Sequence, residues 1–134
     1  MVENIVMKNI LFLLVFLCSI SSCIHAPRLV EVGKGYSSTS VNTTVFRNSS
    51  LAFCEGKQYI AYYDVDRWMV LGSRDLEDDE WTLHRTQYKG NVKDAHNVIS
   101  LMVDGDGYLH VSFDHHGHPL NYCRSVAPHS LILG

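Results

Sequence analysis

From Val41 onward no window of a dozen residues places apolar side chains at helical spacing, which argues against a helix bundle or a wound α/β fold. Basic residues are also few, with 11 Lys and Arg against 14 Asp and Glu and a net charge of −3. No basic stripe is available to neutralise phosphates, so nucleic acid is excluded as a partner. Nor is there a CxxC or HExxH spacing, a phosphate-cradling glycine loop, a dinucleotide fingerprint or a Ser-His-Asp nucleophile motif. Outside the first 23 residues the only cysteines are Cys54 and Cys123, too few for a disulfide framework. One disulfide and two buried thiols both remain open.

What is present begins with a leader. Ile10 to Ile20 (ILFLLVFLCSI) is an apolar run with Lys8 before it and small residues after it, too short for a membrane span and patterned as a secretory signal. Met7 is a second candidate start. Ile20-Ser21-Ser22-Cys23 is similar to a bacterial lipobox, in which the cysteine receives the lipid; ordinary cleavage near Cys23 or Ala26 is the alternative. The expectation is therefore an exported protein, either lipid-anchored through Cys23 at the cell surface or outer membrane, or secreted. Its contact with membrane is through that anchor alone. Removal of the leader takes Lys8 and Glu3 together and leaves the balance acidic.

The remaining chain has ordinary globular composition, 46% hydrophobic and 19% charged. Short alternating runs cut by Gly, Asn and Asp predict an all-β fold. Strands are expected at Thr43 to Arg47, Ser50 to Cys54, Tyr59 to Tyr63, Trp68 to Ser73, Trp81 to Gln87, Val98 to Val103, Tyr108 to Phe113 and Leu120 to Arg124. Hairpin turns are expected at Glu55-Gly56-Lys57 and Asp104-Gly105-Asp106-Gly107. Leu51 to Gln87 has the length of one four-stranded propeller blade, and a second unit beginning at Val98 has room for its first three strands. The division is thus a signal peptide of lipoprotein type over 1–23, a linker and lead-in over 24–40, and a partial β-propeller over 41–134. One and a half blades leave faces uncovered, so the chain reads as the truncated front of a longer propeller, poorly soluble alone. Ser73-Arg74-Asp75 followed by Trp81 is an imperfect version of the Asp-box turn of sialidase-like blades; an acidic surface turn beside a core tryptophan is the plainer reading.

The chemistry concentrates in one stretch. Five of the eight histidines fall between Ala95 and Pro119, and histidine is the side chain suited to proton transfer or metal binding near neutral pH. Along Tyr108 to Asp114 the alternation puts Leu109, Val111 and Phe113 on a core face and His110 opposite, where it reads as a packing residue. His96 lies in the polar link Asp94-Ala95-His96-Asn97 that enters one strand, and His116 lies just beyond the end of the next. A tight hairpin would return the chain to its starting level and set His96 and His116 at one rim. His115, His116 and His118 with Asp114, near Cys123, form a competing metal reading. It has no zinc-site spacing behind it, so no metal ligand is assigned and no cofactor is required. Asp104 to Gly107 lacks the other positions of a calcium loop.

The segments VNTTVFRNSSLAF, QYIAYYDVDRWMVLGSRDL and DAHNVISLMVDGDGYLHVSFDHHGHPLNYCRS together resemble the N-terminal part of the BNR-4 repeat proteins, which include ulvan lyases and related polysaccharide lyases. The resemblance runs from Gly35 to Ser125. It implies a seven-bladed β-propeller acting on anionic, uronate-containing polysaccharide by β-elimination. By position it puts the catalytic pair on His96 and His116, with Asn97 and His115 as substrate-binding residues and His115 as the alternative to His116. The tyrosine and arginine that complete the family's site come from later blades, which makes this chain alone an inactive part. A propeller that binds glycans or partners without catalysis is the alternative from another class. A sialidase-like hydrolase is a third, without an evident arginine cluster.

Overall fold

A computed structural model describes residues 27–43 and 49–134. The leader and Cys23 lie outside these residues, as does the strand expected at Thr43 to Arg47 apart from Thr43, which sits in a turn. Among the described residues every regular element is a strand: β1 (Leu51–Cys54), β2 (Lys57–Tyr63), β3 (Trp68–Asp75), β4 (Thr82–Lys89), β5 (Ser100–Val103), β6 (Leu109–Phe113) and β7 (Asn121–Arg124). The other expected strands all form, with small shifts at their ends. They make two open antiparallel sheets, β1-β2-β3-β4 and β5-β6-β7, each a meander in chain order. The result is an all-β, partial β-propeller arrangement of blade-like sheets.

Strict alternation gives each sheet one apolar face. Tyr59, Ala61 and Tyr63 on β2 pair with Ser73, Leu71 and Met69 on β3. In the second sheet Leu101 pairs with Val111, and Val111 with Cys123. All of these but Ser73 form one buried cluster with Val92, Val98, Ile99, Leu109, Phe113 and Leu133. Removing a Leu- or Val-sized side chain from water contributes about 1.5–3 kcal/mol, so this shared layer is the main attraction between the sheets. A backbone bond reinforces it just ahead of β1, where Ser49 C=O accepts from Leu101 N–H. The opposite face of β5-β6-β7 keeps Met102, Leu120 and Tyr122 exposed. Cys54 and Cys123 are free thiols, so the disulfide alternative is not realised, and burial pushes the Cys123 thiol up to about 11.

Two hairpin turns share one hydrogen-bond design. Between β2 and β3, Asp64 Oδ1 accepts from the amides of Asp66 (2.9 Å) and Trp68 (3.0 Å). Asp64 N–H donates to Trp68 C=O, and Arg67 N–H to Asp64 C=O. Between β5 and β6, Asp104 Oδ1 accepts from Asp106 (3.0 Å) and Tyr108 (2.9 Å). Here too Asp104 N–H reaches Tyr108 C=O, and Gly107 N–H reaches Asp104 C=O. The residue before the aromatic is left-handed in both, Arg67 at φ 72° and Gly107 at φ 83°. The likeness is one of turns, while strand order sets β5-β6-β7 against β1-β2-β3, as the spacing suggests, and the bridge between Ser125 and Leu133 brings the chain back along the end of β7 where β4 follows β3 in the first sheet. The segment ahead of β5 is a loop.

Asp64 is buried and ion-paired to Arg85 at 2.5 Å. Asp64→Ala leaves two amides without their acceptor and is expected to cost about 1–3 kcal/mol. The exposed Asp66→Ala is expected to stay within about 0.5 kcal/mol of wild type. Urea unfolding midpoints of the two variants measure the contrast, and equal midpoints would show that the Asp64 carboxylate does not hold the turn.

Candidate functional site

The loop ahead of β5 starts where the chain leaves β4 over Tyr63. A Cβ built on Gly90 would lie 2.3 Å from the Tyr63 ring, so only glycine lets the backbone pass so closely. Asn91 N–H then donates to Asp114 Oδ1 (3.0 Å), tying the loop to the end of β6. Asp114 itself turns the chain with a left-handed φ of 51°. Asn97 closes the loop from within: it is fully buried, its side-chain amide donates to Asn91 C=O (2.9 Å), and its backbone N–H reaches Asp94 C=O. The Asn97 Oδ1 is buried and accepts no hydrogen bond from the described residues. Holding the histidine loop accords with this burial better than the sugar contact that the resemblance implies for Asn97.

His96 at the loop and His116 in the β6–β7 turn come together as the hairpin geometry requires. Their ring centroids are 4.3 Å apart with planes tilted by 36°. Between them stands Asp94, whose Oδ1 lies 2.6 Å from His96 Nδ1 and whose Oδ2 lies 2.5 Å from His116 Nδ1. The amide of His96 adds a third bond to Asp94 Oδ1 at 2.9 Å. That amide foremost, then the two imidazoles, holds the Asp94 carboxyl far below the usual carboxylate range. An ionised carboxylate only accepts, so each imidazole carries its proton on Nδ1 and presents Nε2 as its basic nitrogen. All three side chains are partly open to solvent, at 46% for His96, 47% for His116 and 37% for Asp94.

Asp94 is the member that the sequence reading left without a role. The signal was an Asp two residues ahead of a histidine, the spacing at which an Asx turn forms. His115 and His118 are exposed in the same turn. The ligand set considered from sequence, Asp114 with His115, His116 and His118, is not the one brought together. Asp114 is engaged by Asn91, and the group whose donor atoms converge is Asp94, His96 and His116. Between β4 and the β6–β7 turn runs an open groove of about 420 Å³ lined by Gln87, Lys89, Asp114 and Asn121, among others.

His110 is a structural residue, as its place in the alternation suggests. Its Nε2 lies 2.8 Å from Asp104 Oδ2 and its Nδ1 lies 2.6 Å from the Tyr122 hydroxyl, so both ring nitrogens are used. In the turn after β3, Asp75 is held by Lys57 at 2.8 Å, and Arg74 lies over the half-buried Trp81 ring at 5.3 Å. His129 was not singled out from sequence. Its Nδ1 lies 2.7 Å from the Tyr59 hydroxyl, and its backbone N–H reaches Gly107 C=O, fastening the β5–β6 turn to the first sheet.

Two blade-like antiparallel sheets with a polar rim built from loops define the class, a partial β-propeller. Residues 57–133 match the BNR repeat-containing family, and the chain belongs to that family. The match takes in β2 to β7 and every member of the histidine cluster. It makes the protein a glycan-related β-propeller. No curated protein matches the chain.

The Asp104–His110 contact predicts a pH effect. The hydrogen bond from His110, followed by the Tyr108 amide, lowers the Asp104 carboxyl below its ordinary value. A carboxyl lowered by folding stabilises the protein above the ordinary Asp value of about 3.9, and the contribution is lost as pH falls through the folded value. Wild type should therefore exceed Asp104→Asn in urea midpoint at pH 7, and the gap should close below about pH 4. A gap constant with pH would assign the effect to packing.

Proposed function

We propose that this protein is an exported polysaccharide lyase that cleaves uronate-containing glycans by β-elimination, with His96 and His116 as its proton-handling pair. The observation that carries the reading is the convergence of these two histidines, far apart in sequence, on the single carboxylate of Asp94 at an exposed rim. Membership of the BNR repeat-containing family supports a glycan as substrate. The leader pattern supports export, with lipid attachment at Cys23 as its membrane contact.

The chemistry asks for two proton positions. A base removes the proton at C5 of the uronate, the C5–H electrons form the C4=C5 double bond, and the C4–O4 bond breaks with its electrons going to O4, which is then protonated. Two partly exposed imidazoles can meet both needs, one taking the C5 proton and the other holding or protonating the sugar. Asp94 contributes as a positioning residue: it fixes the proton on each Nδ1 and holds both rings in place. Asn97 keeps the loop that carries His96, and His115 lines the same turn as a candidate sugar contact.

The test follows unsaturated uronate absorbance with the intact protein on ulvan and other uronate polymers. His96→Ala and His116→Ala are each expected to lower kcat by about 10²–10⁴-fold. Asp94→Asn is expected to lower kcat with KM little changed. Wild-type rates in the histidine variants would end their assignment. Absence of product from every uronate polymer, with glycan binding retained, would favour a non-catalytic binding propeller.

A further inference from the structure

The same three side chains have a second capability that the lyase chemistry does not use. Asp94, His96 and His116 place one donor atom each within 4.8 Å of one another, the only such group of three among the described residues. The donor set is two imidazoles and one carboxylate, which suits zinc and its neighbours in the transition series and is poor for calcium or magnesium, whose sites are built from oxygen. All three residues are partly solvent-exposed, so an ion has an entry path and keeps open positions for water or a substrate oxygen. The loop that carries two of the ligands is anchored through buried Asn97, and the turn that carries the third begins at Asp114, itself bonded to the loop by Asn91. The ligands are therefore brought together by the backbone before any ion arrives.

We propose that Asp94, His96 and His116 form a zinc-class divalent metal site whose occupancy switches off the histidine pair. This rests on the lyase reading for the meaning of the switch, though not for the binding. The logic lies in the tautomers. With no ion, the Asp94 carboxylate keeps each ring proton on Nδ1, so the lone pair of each neutral ring is on Nε2. An ion held by Asp94 and the two Nδ1 atoms requires each neutral ring to carry its proton on Nε2 instead. The metal form thus presents an N–H where the reaction needs a lone pair. Zinc on Nδ1 and a substrate proton on Nε2 compete for the same two rings, and lyase activity falls as zinc rises.

The experiment titrates the intact, chelator-treated protein with ZnCl2 by calorimetry, with CaCl2 as the contrasting ion, and measures uronate elimination across the same zinc range. One zinc per chain is expected, with affinity reduced about tenfold or more in Asp94→Asn, His96→Ala and His116→Ala, the scale that even outer-sphere changes reach. His118→Ala is expected to bind as wild type does. Cobalt(II) added to the wild-type protein reports ligation by its visible spectrum without need of a variant. Zinc binding with no elimination activity would uphold the metal site and overturn the lyase reading. Elimination that zinc neither inhibits nor accompanies by binding would overturn the metal site and leave the lyase reading standing. Equal zinc affinity in wild type and all three ligand variants, or a cobalt spectrum unchanged from the free ion, would likewise overturn the site.

Discussion

Everything at the rim depends on one packed layer, the apolar faces of two short sheets set against each other. Tyr59, Tyr63, Met69 and Leu71 from the first sheet and Leu101, Leu109, Val111 and Phe113 from the second belong to a single buried cluster. Neither a four-stranded nor a three-stranded sheet of this size buries much apolar area alone, so their mutual contact fixes the angle and height at which each sheet presents its loops. The Tyr88 ring, 5.3 Å from that of Phe113, carries the contact out to the edge where the loop after β4 departs. The rim is positioned by the core beneath it.

Much of this was legible in the sequence because period-two alternation is a direct record of which face is buried. Leu109, Val111 and Phe113 against His110 and Ser112 read out the core and its opposite side without ambiguity. The meeting of His96 and His116 was legible too, since a tight hairpin has little freedom in where its ends return. Asp94 was not, because its role depends on two oxygens reaching two rings from different elements, and linear spacing records only one of those neighbours. The burial of Asn97 was hidden for a similar reason. A polar residue in a polar link reads as surface, and only the path of the chain over Tyr63 and Gly90 puts it inside.

Three aspartates illustrate how one residue type is given different work by its surroundings. Asp64 turns its second oxygen to Arg85, a permanent cation, and so closes a structural joint. Asp104 turns its second oxygen to His110, whose other nitrogen is taken by Tyr122, and the imidazole is thereby spent on the fold. Asp94 divides its two oxygens between two imidazoles and so draws His96 and His116 together.

The paired turns at Asp64 and Asp104 also bear on how such a chain can grow. Each turn is closed by one carboxylate and by main-chain groups that every residue possesses, so it constrains few side chains beyond the aspartate and the aromatic that ends it. A unit built this way can be duplicated in tandem, and its copies can then drift in side chains while keeping their turns. Chemical novelty has room in the connections, which no strand ladder constrains. Asp94 and His96 sit in the connection between the two sheets and His116 in the turn after β6.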